Sequence, residues 1–153
     1  MIIIIEGADG SGKTTLANQL SKQTKYPIIH MSNPKTELEK VTMMGLYVQQ
    51  LRTGKNFIFD RCWYSEMAYG PVFRDKSYIT YPQMYELERM LCKAGAMIIY
   101  CTGPKAALWM RCQRRGENFV TSSVDFDKVY TNFEELFSAP HLVPVVRYEY
   151  KDL

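Results

Sequence analysis

The chain has 153 residues, enough for one domain built on one core. Hydrophobic residues make up 46% and charged residues 23%, which excludes a disordered chain. The net charge of +3 permits an anionic substrate without calling for a long nucleic-acid surface.

The run Ile2-Ile3-Ile4-Ile5 is too short to cross a bilayer. No basic stretch precedes it and no small-residue cleavage site follows, so a cytoplasmic protein that does not enter a membrane is expected. Residues 2–6 read instead as a fully buried strand, stopped at Gly7. Residues 13–25 carry Leu16, Ala17 and Leu20 on one side and predict a helix. A second strand is expected over 26–31. A helix over 36–53 should end at Gly54, and a third, short strand over 56–60 should close on an acid.

Met84, Leu87 and Leu91 give residues 82–94 an inner helical face. Residues 96–101 form the next apolar run. The helix predicted over 104–115 has Pro104 at its start and Gly116 after its end. Phe126, Val129, Tyr130, Phe133, Leu136 and Phe137 keep helical spacing over 125–138, and 142–148 reads as a fifth strand. This alternation predicts an α/β fold, a parallel sheet with helices on both faces. Its ligands should sit at the carboxyl ends of the strands. Cys62, Cys92, Cys101 and Cys112 form no C-x-x-C pair, and only His30 and His141 could join them, so no structural zinc site is expected and the thiols should be reduced.

Gly7-Ala8-Asp9-Gly10-Ser11-Gly12-Lys13-Thr14 matches G-x-x-x-x-G-K-[ST] between a predicted strand and a predicted helix. Such a loop turns its backbone N–H groups onto phosphate oxygens, and the helix adds its positive end. Lys13 is expected to bridge the β- and γ-phosphates of ATP, and Thr14 to bind Mg²⁺ through its hydroxyl. Asp60 ends an apolar strand, where an acid can hold the same ion; Arg61 follows, placed for bidentate phosphate binding. Arg111, Arg114 and Arg115 share one helical face. They read either as helix-end cations or as a lid that neutralises a transferring phosphoryl group. Asp9 would repel phosphates unless it faced another group, and a sugar hydroxyl is a natural partner. Tyr47, Trp63, Tyr64, Tyr69 and Phe73 are candidates for base stacking, each individually better explained by the core. His30 reads as a packed or solvent-exposed histidine.

The stretch Glu6 to Thr15 is similar to the P-loop of the thymidylate kinases, which carry an acid at the place of Asp9. Asp60-Arg61-Cys62-Trp63-Tyr64-Ser65-Glu66-Met67-Ala68-Tyr69 resembles that family's D-R-[YH]-x-x-S-x-x-A-[YF] signature in register. Arg111 through Asn118, followed by Phe126 and Asp127, resembles its arginine-rich lid and the helix after it. The likeness covers residues 1–137. It implies a P-loop NTPase three-layer sandwich, a single kinase domain over 1–153 with a lid at about 111–123, and strand order 2-3-1-4-5.

The same likeness implies ATP- and Mg²⁺-dependent phosphorylation of a deoxynucleoside monophosphate. Gly7, Asp9, Gly10, Ser11, Gly12, Lys13, Thr14, Thr15 and Arg111 would bind ATP. Asp9, Asp60, Arg61, Ser65, Tyr69 and Arg115 would bind the acceptor, with Asp9 on its 3′-hydroxyl and Arg61 on its phosphate. Lys13, Arg61, Arg111 and Arg115 would act in catalysis, and Thr14 and Asp60 at the metal. Gly10 stands where some members carry an arginine, so the lid would supply that charge. Cys62 replaces an aromatic, Gly70 replaces a glutamine near the base, and residues 30–35 replace R-E-P-G-G.

Two rivals remain open. A kinase acting on a nucleoside, or on a hydroxyl of DNA or RNA, would suit the shortened acceptor region; the modest charge favours a mononucleotide over nucleic acid. A nucleotide-dependent switch or motor subunit would turn over ATP without an acceptor. Nucleotides are the expected partners, and a homodimer is left open.

Overall fold

In a computed structural model, which describes residues 1–31, 34–116 and 119–150, five parallel strands form one sheet in the order β2-β3-β1-β4-β5. The strands are β1 (Ile2–Glu6), β2 (Ile28–Ile29), β3 (Phe57–Asp60), β4 (Ala96–Thr102) and β5 (Val145–Glu149). The helices are α1 (Lys13–Thr24), α2 (Glu37–Val41), α3 (Met43–Leu51), α4 (Trp63–Phe73), α5 (Tyr81–Ala94), α6 (Lys105–Arg115) and α7 (Ser123–Ser138). The arrangement is the three-layer α/β sandwich expected of a P-loop fold.

Successive side chains of a strand point to opposite faces, and both faces of this sheet are covered. Ile2 and Ile4 therefore join the larger core, with α3, α4, α5 and α7. Ile3 and Ile5 join the smaller one, with Leu16 and Ala17 of α1. β1 is central, and its register sets Ile5 beside Asp60 of β3 and Glu6 beside Tyr100 of β4. The loops after β1 and β3 thus leave the same edge side by side.

The helix predicted over 36–53 is two helices. Thr36 caps the first in a reciprocal capping box with Glu39. Thr42 then turns its hydroxyl back onto the Leu38 carbonyl, 2.6 Å away, and the chain restarts as α3. The strand predicted over 26–31 shrinks to two residues after Pro27, which cannot donate to a ladder. The fifth strand likewise starts later than expected, at Val145 after Pro144.

Helix α4 was not anticipated. Trp63, Tyr64, Met67, Ala68, Tyr69 and Gly70 are buried nearly all round, so no one-sided period marks the segment, and Pro71 lies inside it. It packs against α7, where Asn132 donates to the Ala68 carbonyl (2.9 Å) and Tyr69 meets Phe133 edge-on. Trp63 and Tyr64 are fully buried, which removes them from the stacking candidates.

Behind α4 lies a buried polar knot. Glu88 accepts from Tyr64 Oη, His141 Nδ1 and the Leu142 N–H, each at 2.7 Å. His141 Nε2 stands 2.8 Å from the Leu136 carbonyl. Both ring nitrogens face acceptors, so the imidazole is held as the cation. Burial lowers its pKa, but the Glu88 carboxylate and the Leu136 carbonyl outweigh burial and raise it. A raised folded value gives stability that is complete below the unfolded pKa of about 6.5 and is lost as pH climbs through the folded value. Denaturant midpoints of the native chain should therefore fall relative to those of His141→Gln as pH rises above neutrality; equal slopes would show that the pair does not titrate.

Candidate active site

The loop after β1 folds around Lys13. Lys13 is 6% exposed, and its ammonium donates to the Ala8 carbonyl at 2.8 Å and to Ser11 Oγ at 3.2 Å. Burial, then the nearby Arg61 charge, lowers its pKa to about 7. Thr14 Oγ1 donates to Asp60 Oδ2 at 3.3 Å, so the hydroxyl and the acid expected at a metal meet at one point. His30 Nδ1 lies 3.7 Å from the same oxygen.

Gly10 has φ +81°, and a Cβ there would stand 2.5 Å from the Leu108 carbonyl and 3.0 Å from the Cys112 N–H nitrogen of α6. An arginine at this position could not coexist with the helix as packed, which accounts for the glycine.

Arg61 has φ +69°, a left-handed conformation costly for any residue with a side chain. The surroundings hold it there. Its N–H donates to the Ile5 carbonyl at 3.0 Å. The next turn is tied to Glu6, which accepts from the Cys62 N–H (2.7 Å), the Ser65 N–H (3.0 Å) and Ser65 Oγ (2.6 Å). Glu6 is wholly buried; burial raises its pKa despite the opposing hydrogen bond from Ser65 and the Arg61 charge. Sequence reading treated Glu6 only as the end of a strand. Its signal was available: an acid closing an all-isoleucine run needs buried donors.

So held, the Arg61 guanidinium donates to Asp9 Oδ1 (2.5 Å), Ser65 Oγ (3.2 Å) and the Gly7 carbonyl (3.3 Å). Tyr69 Oη also donates to Asp9 Oδ1, at 3.0 Å. Asp9 Oδ2 is buried without a partner among the described residues. Asp9, Arg61, Ser65 and Tyr69 together wall a cavity of about 400 Å³, which continues past Tyr47 to Glu66 and Arg74. Phe119 closes it from the segment after α6, and His30 lines it too. Phe73 is not on that wall; it stacks behind Tyr69.

The remaining arginines lie elsewhere. Arg111 sits over the Tyr150 ring, 4.7 Å from its centroid, and donates to the Tyr150 carbonyl at 3.4 Å. Arg114 and Arg115 are exposed at the end of α6, outside the wall of the cavity, and Thr15 is exposed on α1. Ser32 and Asn33, and Glu117 and Asn118 of the expected lid, lie outside the described residues.

A phosphate loop after the central strand, an acid and an arginine at the neighbouring strand end, and a cavity opening beside them define a P-loop kinase-like fold and site. The polyphosphate kinase 2 (PPK2) family matches residues 1–111, and the chain belongs to it. It is 31% identical over 137 residues to the SPbeta prophage-derived uncharacterized protein YorR of Bacillus subtilis (strain 168), covering 90% of this chain and 82% of that one. A crystal structure of B. subtilis YorR in complex with phosphorylated GDP superposes with a TM-score of 0.81 at 28% identity, over 97% of this chain and 85% of that one. Deoxyadenosine kinase from M. mycoides with bound dCTP shares the fold, with a TM-score of 0.64 at 21% identity over 97% and 90% of the two chains. Among the described residues no helix is long and apolar enough to cross a membrane.

Proposed function

We propose that the protein transfers the γ-phosphoryl group of ATP to the 5′-phosphate of a deoxynucleoside monophosphate, as the thymidylate kinases do. The observation that carries this reading is the position of Arg61. Its guanidinium is bonded to Gly7 and Asp9 of the phosphate loop, and Arg61 lines the cavity, where an acceptor phosphate would lie in line with the donor. The guanine nucleotide in the YorR crystal structure supports a nucleotide ligand for this fold.

Lys13, with the loop amides of Gly7, Gly10, Ser11 and Gly12, would hold the donor phosphates. Asp9 Oδ2 would accept the 3′-hydroxyl of the acceptor sugar, which gives the orphaned oxygen a partner. Ser65 and Tyr69 hold Arg61 and Asp9 in place for this. Arg111 has its Cβ 3.5 Å from where a Cβ on Gly10 would stand, beside the phosphate loop, from which its guanidinium would meet the donor nucleotide. Arg115 would have to be carried inward by movement of the lid.

Thr14 and Asp60 offer two hard oxygens at one point, which suits Mg²⁺ completed by water and phosphate. The described residues hold no cluster of three His, Cys, Asp or Glu that would make a closed metal cage, in keeping with such an open site. The ion would neutralise charge on the phosphate oxygens.

The family's name, polyphosphate kinase 2, makes polyphosphate a second donor to test, and the exposed Arg114 and Arg115 would suit a polyanion. One experiment separates the readings: follow ADP release and acceptor phosphorylation from ATP with a monophosphate, its parent nucleoside, its 3′-deoxy analogue or a short DNA, and repeat the acceptor phosphorylation with polyphosphate as donor. Turnover should require the monophosphate. The 3′-deoxy analogue should lose about tenfold to a hundredfold in kcat/KM, the worth of a hydrogen bond to a carboxylate. Release of ADP without any acceptor would point to a switch or motor instead.

A further inference from the structure

The cavity runs on beyond Arg61 to a buried ion pair that phosphoryl transfer does not need. Glu66 lies within α4 and Arg74 at its C-terminal end, and both line the cavity. The Glu66 side chain is 4% exposed. Its Oε2 accepts from Arg74 Nη2, and its Oε1 from the Tyr78 N–H at 2.9 Å.

Gly70 makes this possible. A Cβ there would stand 2.7 Å from the Lys76 carbonyl and 3.0 Å from Glu66 Oε1, so a residue with a side chain would push the returning segment off the helix. With glycine, residues 76–78 fold back closely enough to deliver the Tyr78 N–H.

A carboxylate has about four acceptor positions, and two are filled here, so each Glu66 oxygen keeps one. Arg74 Nε is buried and has no partner among the described residues. A buried N–H without a partner is costly, and a ligand is one way to satisfy it. This part of the cavity therefore sets an unused donor beside a carboxylate with an unused position on each oxygen.

We propose that Glu66 and Arg74 read a guanine ring, the two Glu66 oxygens accepting from N1–H and the N2 amino group while Arg74 Nε donates to O6. This deepens the acceptor assignment above and rests on it. Among the common bases, guanine alone has two adjacent N–H donors on its pairing edge with a carbonyl next to them. Thymine has one N–H between two carbonyls, and would set an oxygen against a Glu66 oxygen. Adenine and cytosine each place an unprotonated ring nitrogen beside their amino group, which would do the same. A volume of about 400 Å³ falls within the usual range for small-molecule sites.

The test measures binding calorimetrically without a phosphoryl donor, and kcat/KM with one, for dGMP, dIMP, dAMP, dCMP and dTMP. The expected result is dGMP first, with dIMP, which lacks only the 2-amino group, weaker by about tenfold to a hundredfold. Glu66→Gln should bring the dGMP-to-dIMP ratio close to one. Arg74→Met should weaken both equally, since both keep O6. A ratio near one in the native chain, or dTMP or dAMP binding as well as dGMP, overturns the proposal, and this holds even where Glu66→Gln fails to fold. If no monophosphate is phosphorylated, the acceptor assignment fails, while the order of binding still decides the base.

Discussion

Lys13→Ala should lower kcat by about 10²–10³-fold or more, the cost of removing one preorganised charge from a phosphoryl-transfer transition state. The fold should survive, because the ammonium is buried at an energetic disadvantage in the free protein. Burial and the Arg61 charge bring its pKa to about 7, so between about 7 and the unfolded value near 10.4 the unfolded chain binds more protons than the folded one. Across that window the native chain should therefore gain stability relative to Lys13→Ala as pH rises, by at most about 1.4 kcal/mol per unit. Melting curves at pH 7 and pH 9, read beside kcat, check both halves. An unchanged kcat in the folded variant would remove the phosphate loop from the mechanism. Parallel pH slopes would place the shifted proton elsewhere.

Arg61 should separate activity from stability more sharply. Arg61→Ala and Arg61→Gly should each lose about 10³-fold in kcat, since neither supplies a charge to the transferring group. Arg61→Lys should lose much of the same, because an ammonium cannot copy the planar fork. The two small substitutions should nevertheless differ in stability. At φ +69° a residue with a Cβ carries a left-handed strain of about 1–2 kcal/mol that glycine does not, so Arg61→Gly should be the more stable by about that amount. Both variants also strip Asp9 Oδ1 of its closest partner, a shared cost that cancels in the comparison. Chemical denaturation of the pair reads the difference. Equal stability would mean that the backbone relaxes, and kcat within a few-fold of native would mean that Arg61 only anchors the loop.

These two residues were legible from the sequence because their neighbours constrain them: glycines at fixed spacing before Lys13, and an apolar run ending at Asp60 before Arg61. Alternation predicted the parallel sheet, and its strand order was what the family resemblance implied. The deeper cavity wall was not legible. Its elements carry no simple period, since α4 is buried all round and α2–α3 breaks at Thr42, whose hydroxyl competes for a helix carbonyl. Glu66 and Arg74 pair although they are eight residues apart, and the fold-back permitted by Gly70 adds the Tyr78 N–H to the same carboxylate. The histidines divide the same way. His30 and His141 look alike in the chain, yet one lies at the cavity near Asp60 and the other is locked between Glu88 and Leu136.

The central claim is that the phosphoryl group passes to a phosphate placed by Arg61. Phosphorus NMR of the reaction of ATP with a deoxynucleoside monophosphate, and separately with its parent nucleoside, tests it most directly. The account predicts a new diphosphate signal from the monophosphate, formed one for one with ADP, and no phosphorylation of the nucleoside at comparable rate. A monophosphate signal growing from the nucleoside, with the monophosphate inert, would contradict it and make Arg61 a residue for a hydroxyl acceptor.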